Sequence, residues 1–353
     1  MRKTIKVLLG SLVGLTALFA GTVYLSTYHP STVERQSVHN AHGTPMLQAG
    51  QTLKLISWNV QFMAGNSNNH FFYDDGSDPW PDAGTVASVT RGVAEFIAEQ
   101  DPDIVLLQEV DDLAARTHMR DQTKALLKRL PQYSAYTETF YWKAAYVPHP
   151  SIRGRVGMKL VVLSKYRLDA ATRHALSPIT TEDFLTRQFN LKRAMQQVRM
   201  PVAGAPDLVL INTHLSAFAQ GSDTMKRQVA QVMARLDALP AAASWVLGGD
   251  FNLLPNDAAL ASNVHLLSQY SEQGTELEPL ISRYASVPPL AGIEANPEPW
   301  FTYMSPADPQ RRPDRTIDYI FYSSELAVTR GEVLRGDARQ LSDHLPLILE
   351  FTL

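Results

Sequence analysis

Short apolar runs of strand length alternate with stretches of helical spacing from residue 53 to the C-terminus. The predicted helices have apolar residues at every third or fourth position, and they cover residues 87–98, 117–130 and 224–239. The predicted strands cover residues 53–60, 104–110, 160–164, 194–200, 208–213, 245–247, 317–322 and 345–351. This alternation predicts an α/β fold in which helices pack outside the sheets.

The N-terminus has a different pattern, in which basic residues precede a long apolar run. Residues 1–6 contain Arg2, Lys3 and Lys6, and residues 7–25 contain no charge. A helix of that length can cross roughly 30 Å of hydrocarbon. Its length favours an uncleaved signal anchor, and a signal peptide cleaved after Ala20 is the alternative. Both interpretations keep the basic residues in the cytoplasm and export the rest of the chain.

Residues 26–51 are polar and show no sustained period. This composition predicts a linker between the apolar segment and a folded domain. Residues 52–353 are predicted to form that single domain, because its polar motifs are widely spaced and need to converge. Two aromatic stretches, residues 62–84 and 137–156, are interpreted as long functional loops.

Six apolar runs carry polar groups where a predicted strand meets a loop, which is where α/β enzymes build their sites. The six are ISWNV (56–60), LLQEV (106–110), LINTHL (210–215), LGGDFN (247–252), TIDYIF (316–321) and SDHLP (342–346). Any one of them alone is explained by a capped strand end. Together they predict a single polar site.

The six motifs, in this order, resemble the endonuclease/exonuclease/phosphatase superfamily of DNase I-like, metal-dependent phosphoesterases. The resemblance runs from about Lys54 to the C-terminus, and GDFN followed downstream by SDHLP is its most specific part. It implies a four-layer sandwich of two stacked mixed β-sheets flanked by helices. It does not fix a substrate, since members cut DNA, RNA, phosphoinositides, sphingomyelin and other phosphoesters.

The resemblance also implies a metal site in which Glu109 is the principal ligand. Asn59 and Asp343 lie beside the metal ion or one water away from it. Carboxylate and amide oxygens select hard ions such as Mg²⁺, with Mn²⁺ also possible. Zinc is the poorer candidate because the chain has no cysteine and no close histidine pair.

Five further residues have catalytic roles by the same resemblance. Asp250 orients and deprotonates the attacking water, and Asn252 donates its amide to the phosphate or the nucleophile. His344 faces the scissile phosphate and bonds to Asp318, which fixes its tautomer and keeps it cationic. His214 is a second histidine that faces the phosphate.

Tyr146-Val147-Pro148 looks like a tyrosine motif of apurinic endonucleases, but it precedes His214 in this chain. The role of the tyrosine in that motif is therefore not assigned to Tyr146.

The charge of the chain bears on which substrates it can attract. A net charge of −3 and a pI near 6.4 give no general attraction for a long polyanion. We therefore expect the substrate to be a small or lipid-borne phosphodiester that is hydrolysed outside the cytoplasm, in the periplasm or beyond. We also expect the N-terminal helix to bind the inner membrane. No obligate protein partner is expected.

The alternative is an exported endonuclease or exonuclease that acts on DNA or RNA, whether anchored or secreted after signal cleavage. Two groups of basic residues favour it as a phosphate track. They are Arg153, Arg155, Lys159, Lys165, Arg167 and Arg173, and Arg187, Lys192, Arg193 and Arg199. A binding module with an inactive site is disfavoured by the complete set of acids and histidines.

Overall fold

Two stacked β-sheets form the centre of the protein. The computed structural model describes residues 2–66, 71, 76–78, 80–217, 219, 221–256, 270, 275–306 and 308–353. Within these residues the strands are β1 Val33–Gln36, β2 Val38–Asn40, β3 Leu47–Gln48, β4 Thr52–Asn59, β5 Ile104–Asp111, β6 Ala135–Val147, β7 Gly154–Ser164, β8 Ala170–Ala175, β9 Ala194–Met200, β10 Val202–Ala203, β11 Leu208–His214, β12 Ser244–Asp250, β13 Ala285–Val287, β14 Tyr303–Met304, β15 Pro313–Arg315, β16 Asp318–Tyr322, β17 Ala327–Val333 and β18 Leu347–Thr352. The helices within them are α1 Arg2–Ser26, α2 Ala83–Gln100, α3 Gln122–Leu127, α4 Phe184–Phe189, α5 Thr224–Asp237, α6 Glu278–Ile281, α7 Leu290–Ala295 and α8 Ala338–Leu341.

Each large sheet has seven strands within the described residues. One has the order β1-β8-β9-β11-β12-β16-β13 and the other β17-β18-β4-β5-β7-β6-β2. In the first sheet β11 and β12 are parallel, and in the second β4 and β5 are parallel. Helix α5 connects the first pair and α2 the second, since parallel neighbours need a crossover.

Apolar side chains pack in three layers around these sheets. Leu106 and Val246 lie in the core between the two sheets. Val93 and Ile97 of α2 cover the outer face of the β4–β5 pair, and Val229 of α5 covers the β11–β12 pair. The order helix, sheet, sheet, helix confirms the predicted four-layer sandwich.

The predicted helix over residues 87–98 is part of α2, and that over residues 224–239 corresponds to α5. The helix predicted over residues 117–130 is shorter, because a 3-10 turn at Ala115–Thr117 precedes α3. A strand is present at each of the eight predicted positions.

The interpretation of residues 137–156 as a loop was wrong. Most of this stretch belongs to the antiparallel hairpin of β6 and β7. Along β6, Thr137, Thr139 and Tyr141 are buried and alternate with partly exposed neighbours, which is the period of a strand. Aromatic and β-branched residues favour strands, so the aromatic content of this stretch has a structural cause.

The interpretation of residues 26–51 as a linker was also wrong for much of the segment. Strand β1 pairs with the edge strand β8 of one sheet, and β2 pairs with β6 of the other. These strands cover edges that would otherwise expose unpaired backbone groups. Backbone pairing needs no apolar period, which explains why the sequence pattern did not reveal them.

The aromatic stretch at residues 62–84 is described in part. Residues 67–70, 72–75 and 79 lie outside the described residues, so the loop prediction is not assessed there. Phe62 and Phe71 pack edge to face with ring centroids 5.6 Å apart, and α2 begins at Ala83.

Within the described part of the chain, one helix is long and apolar enough to cross a membrane by length and composition. It covers Thr4–Ser26, has a mean hydropathy of 1.8 and is almost wholly exposed. Its apolar side chains therefore do not belong to the core of the domain, and Leu25 is 86% exposed.

Candidate active site

Polar side chains from both sheets meet at one edge of the sandwich. Asn59 ends β4 and Glu109 lies near the end of β5, while His214 and Asp250 end β11 and β12. Asp318 begins β16 and pairs in register with Asp250. Because the two parallel pairs are stacked, the carboxyl ends of their strands converge and form a cleft.

Asp250 lies at the centre of this site and is buried. Its Oδ2 accepts a hydrogen bond from Asn59 Nδ2 at 3.0 Å and lies 3.2 Å from His214 Nε2. His344 Nε2 lies 3.7 Å from the same oxygen. The predicted residues Asn59, His214, Asp250 and His344 are thus brought together in space.

The predicted contact between His344 and Asp318 is present. His344 Nδ1 donates to Asp318 Oδ2 at 2.9 Å, and both side chains are buried. The backbone N–H of Asp318 donates to Thr302 Oγ1, which helps to hold the start of β16 in place. Burial alone would lower the pKa of His344, but the carboxylates of Asp318 and Asp250 raise it well above its usual value. His344 is therefore an imidazolium ion at neutral pH.

His214, in contrast to His344, is uncharged. Burial lowers its pKa well below the usual value, and the positive charges of Arg193 and His344 lower it further. A neutral imidazole has one donor and one acceptor nitrogen. Nε2 lies 3.2 Å from Asp250 Oδ2, and Nδ1 lies 3.3 Å from the Tyr141 hydroxyl oxygen, an arrangement that favours the tautomer with its N–H on Nε2.

Tyr141 is the hydrogen-bond partner of His214 Nδ1. Its Oη lies 3.3 Å from His214 Nδ1 and accepts a hydrogen bond from the backbone N–H of Glu109 at 3.1 Å. Burial raises the pKa of Tyr141 well above its usual value, so the phenol keeps its proton. Polar contacts therefore link the Glu109 backbone through Tyr141 and His214 to Asp250.

Burial raises the pKa of Asp250 to about 7, and the charge of Asp318 adds to this increase. The charge of His344 opposes the increase. A carboxyl group with a pKa near the working pH can accept and release a proton, which is the requirement for a general base.

Glu109 lies in an irregular part of β5. The register between β5 and β7 shifts between Leu107 and Val110, and Glu109 has a φ of 56°. Such a β-bulge re-aims a side chain and costs about 1–3 kcal/mol in backbone strain. Its carboxylate lines the cleft, with Oε1 3.2 Å from Asn59 Nδ2.

Asp343 reaches the site beside His344. Its Oδ2 accepts a hydrogen bond from Gln61 Nε2 at 2.9 Å, and its Oδ1 lies 4.0 Å from His344 Nε2. Ser342 Oγ donates to the Asn59 carbonyl and accepts from the His344 backbone N–H. The SDHLP motif is thereby attached to the end of β4.

Gly249 of the GGDFN motif is required because the neighbouring strand backbone packs closely against it. A Cβ on Gly249 would lie 2.0 Å from the Thr213 carbonyl oxygen. Asn252, with a φ of 52°, turns the chain after Asp250 and donates its backbone N–H to Asp250 Oδ1 at 3.0 Å. Its side-chain amide donates to the Leu215 carbonyl at 3.3 Å and lines the cleft.

The cleft has a volume of about 460 Å³. An arginine and aromatic rings lie on each side of its polar centre. One set is Phe62, Arg116 and Trp142, and the other is Tyr270, Tyr303 and Arg315. The Arg116 guanidinium stacks 3.6 Å from the Phe62 ring centroid and forms two hydrogen bonds to the buried Asp111.

Arg193 also lines the cleft. Its guanidinium lies 5.4 Å from the Tyr141 ring centroid, and its buried Nη1 has no hydrogen-bond partner among the described residues. A buried cation without a full set of partners is costly, and an anionic ligand would supply them.

Most of the basic residues that favoured a phosphate track do not line the cleft. Lys159 and Arg173 are buried and bonded within the protein, and Arg199 pairs with Asp169 and Asp207. All ten residues of the two groups belong to the described part of the chain, and of these ten Arg193 lines the cleft.

Sequence reasoning missed three residues of this site. Tyr141 was overlooked because its strand was interpreted as a loop, whereas Tyr146, the tyrosine of the recognisable motif, is 51% exposed. Gln61 follows directly after the first motif, and Arg193 appeared only as one member of a basic group. Their positions next to polar strand ends were the signal that could have identified them.

The sequence profile described as the Endonuclease/Exonuclease/phosphatase family matches residues 56–344, a range that contains all eight predicted site residues. The chain belongs to the endonuclease/exonuclease/phosphatase family. Members of this family are hydrolases that act on phosphoesters. No curated protein matches the chain.

Solved structures of this family share the fold. An endonuclease/exonuclease/phosphatase from Beutenbergia cavernae DSM 12333 is 23% identical, with a TM-score of 0.58 over 86% of this chain and 72% of its own. The human Nocturnin catalytic domain with bound sulfate anion is 19% identical, with a TM-score of 0.55 over 90% and 98%. D. rerio TDP2 complexed with single strand DNA product is 18% identical, with a TM-score of 0.53 over 86% and 100%.

Enzymes of this family use divalent metal ions, and the donors present fit such an ion. Asn59 Nδ2 lies between the carboxylates of Glu109 and Asp250, a position that favours a positive or hydrogen-bond-donating group. Among the described residues, Asp250, Asp318 and His344 also bring potential ligand atoms within 4.8 Å of one another. Since His344 is cationic and bonded to Asp318, this second group is better explained by hydrogen bonding.

Proposed function

We propose that the protein is a metal-dependent phosphodiesterase with its catalytic domain outside the cytoplasm. The observation that carries the proposal is the convergence on Asp250 Oδ2 of Asn59, His214 and His344, at 3.0, 3.2 and 3.7 Å. A proton acceptor beside one neutral and one cationic histidine can deprotonate water and stabilise a phosphoryl group in the same cleft.

In the proposed reaction, Asp250 accepts a proton from a water molecule whose oxygen attacks phosphorus. The bond to the leaving oxygen breaks opposite the attacking water, and the leaving oxygen takes a proton from solvent. Imidazolium His344 stabilises the negative charge that develops on the phosphoryl group, and Asp318 holds its ring. Asn252 orients the phosphate or the nucleophile through its amide. Neutral His214 contacts Asp250 through Nε2 and keeps it in place.

Glu109, with Asn59 and Asp343, is the proposed ligand set for Mg²⁺, and Mn²⁺ is a possible substitute. When bound, such an ion neutralises charge on the phosphoryl oxygens. Glu109 supports this role because its carboxylate faces the cleft beside the Asn59 amide.

The proposed location is supported by the N-terminal helix. Its apolar side chains are exposed, and the residues before its apolar run are basic. We propose that α1 is a signal anchor in the inner membrane with the domain on the periplasmic or extracellular side. Cleavage after Ala20 and secretion is the alternative.

The substrate is tested with the full-length protein in mild detergent and Mg²⁺. The panel is plasmid DNA, RNA, vesicles of sphingomyelin or phosphoinositide, and the soluble diester bis(p-nitrophenyl) phosphate. We expect cleavage of the soluble diester and of at least one lipid, with little cleavage of nucleic acid. Preferential cleavage of DNA or RNA would instead establish the nuclease alternative.

Asp318→Asn is expected to lower kcat by about a hundredfold with little change in KM. The amide no longer stabilises a positive charge on His344 and can present the wrong hydrogen-bonding group to Nδ1. Steady-state kinetics on the soluble diester measures this, and Asp308→Asn, at a partly exposed aspartate bonded to Arg312, is the matched control. A near-normal rate in Asp318→Asn would contradict the role of the pair.

Tyr141→Phe is expected to lower kcat about tenfold and to change the tautomer balance of His214. The substitution leaves His214 Nδ1 and the Glu109 backbone N–H without their partner, at a cost of about 1–3 kcal/mol. Kinetics and ¹⁵N NMR of the histidine ring measure the two effects.

Tyr146→Phe is the matched control, because Tyr146 lies on the same strand and is exposed. A purely structural role for Tyr141 would lower the thermal midpoint without altering the His214 tautomer, and that result would contradict its role as a positioning residue.

A reporter that is active only after export, fused after Leu353, is expected to be active. Arg2, Lys3 and Lys6 hold the N-terminus in the cytoplasm, so the chain after α1 crosses the membrane. A reporter that is active only in the cytoplasm should be silent in the same position. The reverse pattern would disprove the proposed location for both the anchor and the cleaved signal peptide.

A further inference from the structure

The end of the N-terminal helix contacts the strand that forms a wall of the cleft. Thr27, the residue after α1, forms an antiparallel bridge with Ala144 of β6. Two residues along the same strand, Trp142 lines the cleft. The spacing along a strand places these two positions roughly 7 Å apart. A membrane that holds α1 therefore lies close to this side of the cleft.

The surface next to this contact consists of residues 143–153, at the turn end of the β6–β7 hairpin, and helix α4. We call this surface the rim. Phe189 and Leu191 pack against the hairpin cluster that contains Val147, so the two parts of the rim are in contact. Trp142 Nε1 also donates to the Phe189 carbonyl at 2.8 Å.

Large apolar side chains of the rim are exposed. Phe184 is 78% exposed and Leu185 is 47% exposed, and Tyr146 on the hairpin is 51% exposed. Helix α4 has no buried residue. Aromatic and aliphatic side chains of this kind enter the boundary between lipid headgroups and acyl chains.

The charge of the rim complements an anionic membrane. Residues 143–153 contain the exposed Lys143 and Arg153, α4 contains the partly exposed Arg187, and neither part of the rim contains an acidic residue. The preceding Asp183 caps α4 by accepting hydrogen bonds from the backbone of Leu185 and Thr186. Basic residues next to an anchor attract anionic lipids, although the whole chain carries a net charge of −3.

We propose that the rim rests on the lipid bilayer into which α1 is inserted, and that the cleft thereby acts on a phosphodiester carried by a membrane lipid. This inference rests on the proposed function for its anchor and its chemistry. It adds a second membrane contact and narrows the substrate to a lipid in the bilayer itself.

Single-cysteine labelling tests the contact, because the chain contains no cysteine. A fluorophore is attached to Phe184→Cys in the full-length protein, reconstituted in vesicles that contain phosphatidylglycerol. Thr329→Cys is the matched control, because Thr329 is exposed on β17, which lies across the sheet from β6 at roughly 24 Å.

Brominated lipid is expected to quench the probe at position 184 at least twofold more than the probe at position 329. Aqueous iodide is expected to give the reverse order. Equal quenching at the two positions would overturn the proposal, and so would loss of the full-length protein from the membrane after carbonate washing.

The double variant Phe184→Ser/Leu185→Ser tests the consequence for activity. It should lower hydrolysis of the lipid phosphodiester identified in vesicles about tenfold and leave hydrolysis of bis(p-nitrophenyl) phosphate unchanged. An equal rate on vesicles in variant and wild type would overturn the proposal. If the wild type hydrolyses neither substrate, the proposed function itself fails, and the quenching result still decides whether the rim contacts the bilayer.

Discussion

Chelation of divalent metal ions is expected to lower the rate of diester hydrolysis by at least about a thousandfold, and Mg²⁺ or Mn²⁺ is expected to restore it. A metal ion supplies several kcal/mol of charge stabilisation, and about 4 kcal/mol corresponds to a thousandfold in rate. The carboxylate of Glu109, which lines the cleft and accepts a hydrogen bond from Asn59 Nδ2, offers oxygen donors of the kind that such an ion needs. Initial rates in EDTA, before and after addition of each metal, measure the effect.

Glu109→Gln distinguishes loss of the metal from a general effect of chelation. This variant should bind Mn²⁺ at least tenfold more weakly by calorimetry, whereas Glu95→Gln, at an exposed position on α2, should bind it normally. Full activity of the wild type in EDTA would contradict the proposed mechanism.

Asp250→Asn is expected to lower kcat by about a thousandfold. The amide has nearly the same shape as the carboxyl group but cannot accept a proton from water, and general base catalysis is typically worth about a hundredfold to ten-thousandfold. Burial raises the pKa of Asp250 to about 7, which suits it to this transfer. Kinetics on the soluble diester at saturating Mg²⁺ gives the measurement.

The fold should survive this substitution, because the Asp250 carbonyl still accepts from the Leu215 backbone N–H. Circular dichroism and the thermal midpoint verify that. Asp237→Asn, at the end of α5 where the side chain pairs with Arg283 on the surface, is the matched control. A rate for Asp250→Asn within tenfold of the wild type would exclude Asp250 as the base.

The sequence predicted the sandwich because buried strands are apolar runs that can be found locally. Asn59, Glu109, His214 and Asp250 were found in the same way, as polar residues at the ends of such runs. Strands β1 and β2 were missed because their pairing with β8 and β6 is a non-local contact. Such contacts leave no period in a short polar segment.

Neither the role of Tyr141 nor the charge states of the two histidines could be predicted from the sequence. Tyr141 lies in the middle of a strand, and its partner His214 is 73 residues away. Sequence assigned His214 and His344 alike to the phosphate. Their surroundings separate them, because Asp318 and Asp250 raise the pKa of His344 while burial and Arg193 lower that of His214.

The central claim is that the cleft around Asp250 directs water to the phosphorus atom of a diester. A single turnover of bis(p-nitrophenyl) phosphate in H₂¹⁸O, with Mg²⁺ and enzyme in excess, tests it most directly. We predict that the monoester product contains one ¹⁸O on phosphorus and that Asp250→Asn forms this product about a thousandfold more slowly. Absence of ¹⁸O from the monoester, or an equal rate of labelling by the variant, would contradict the account.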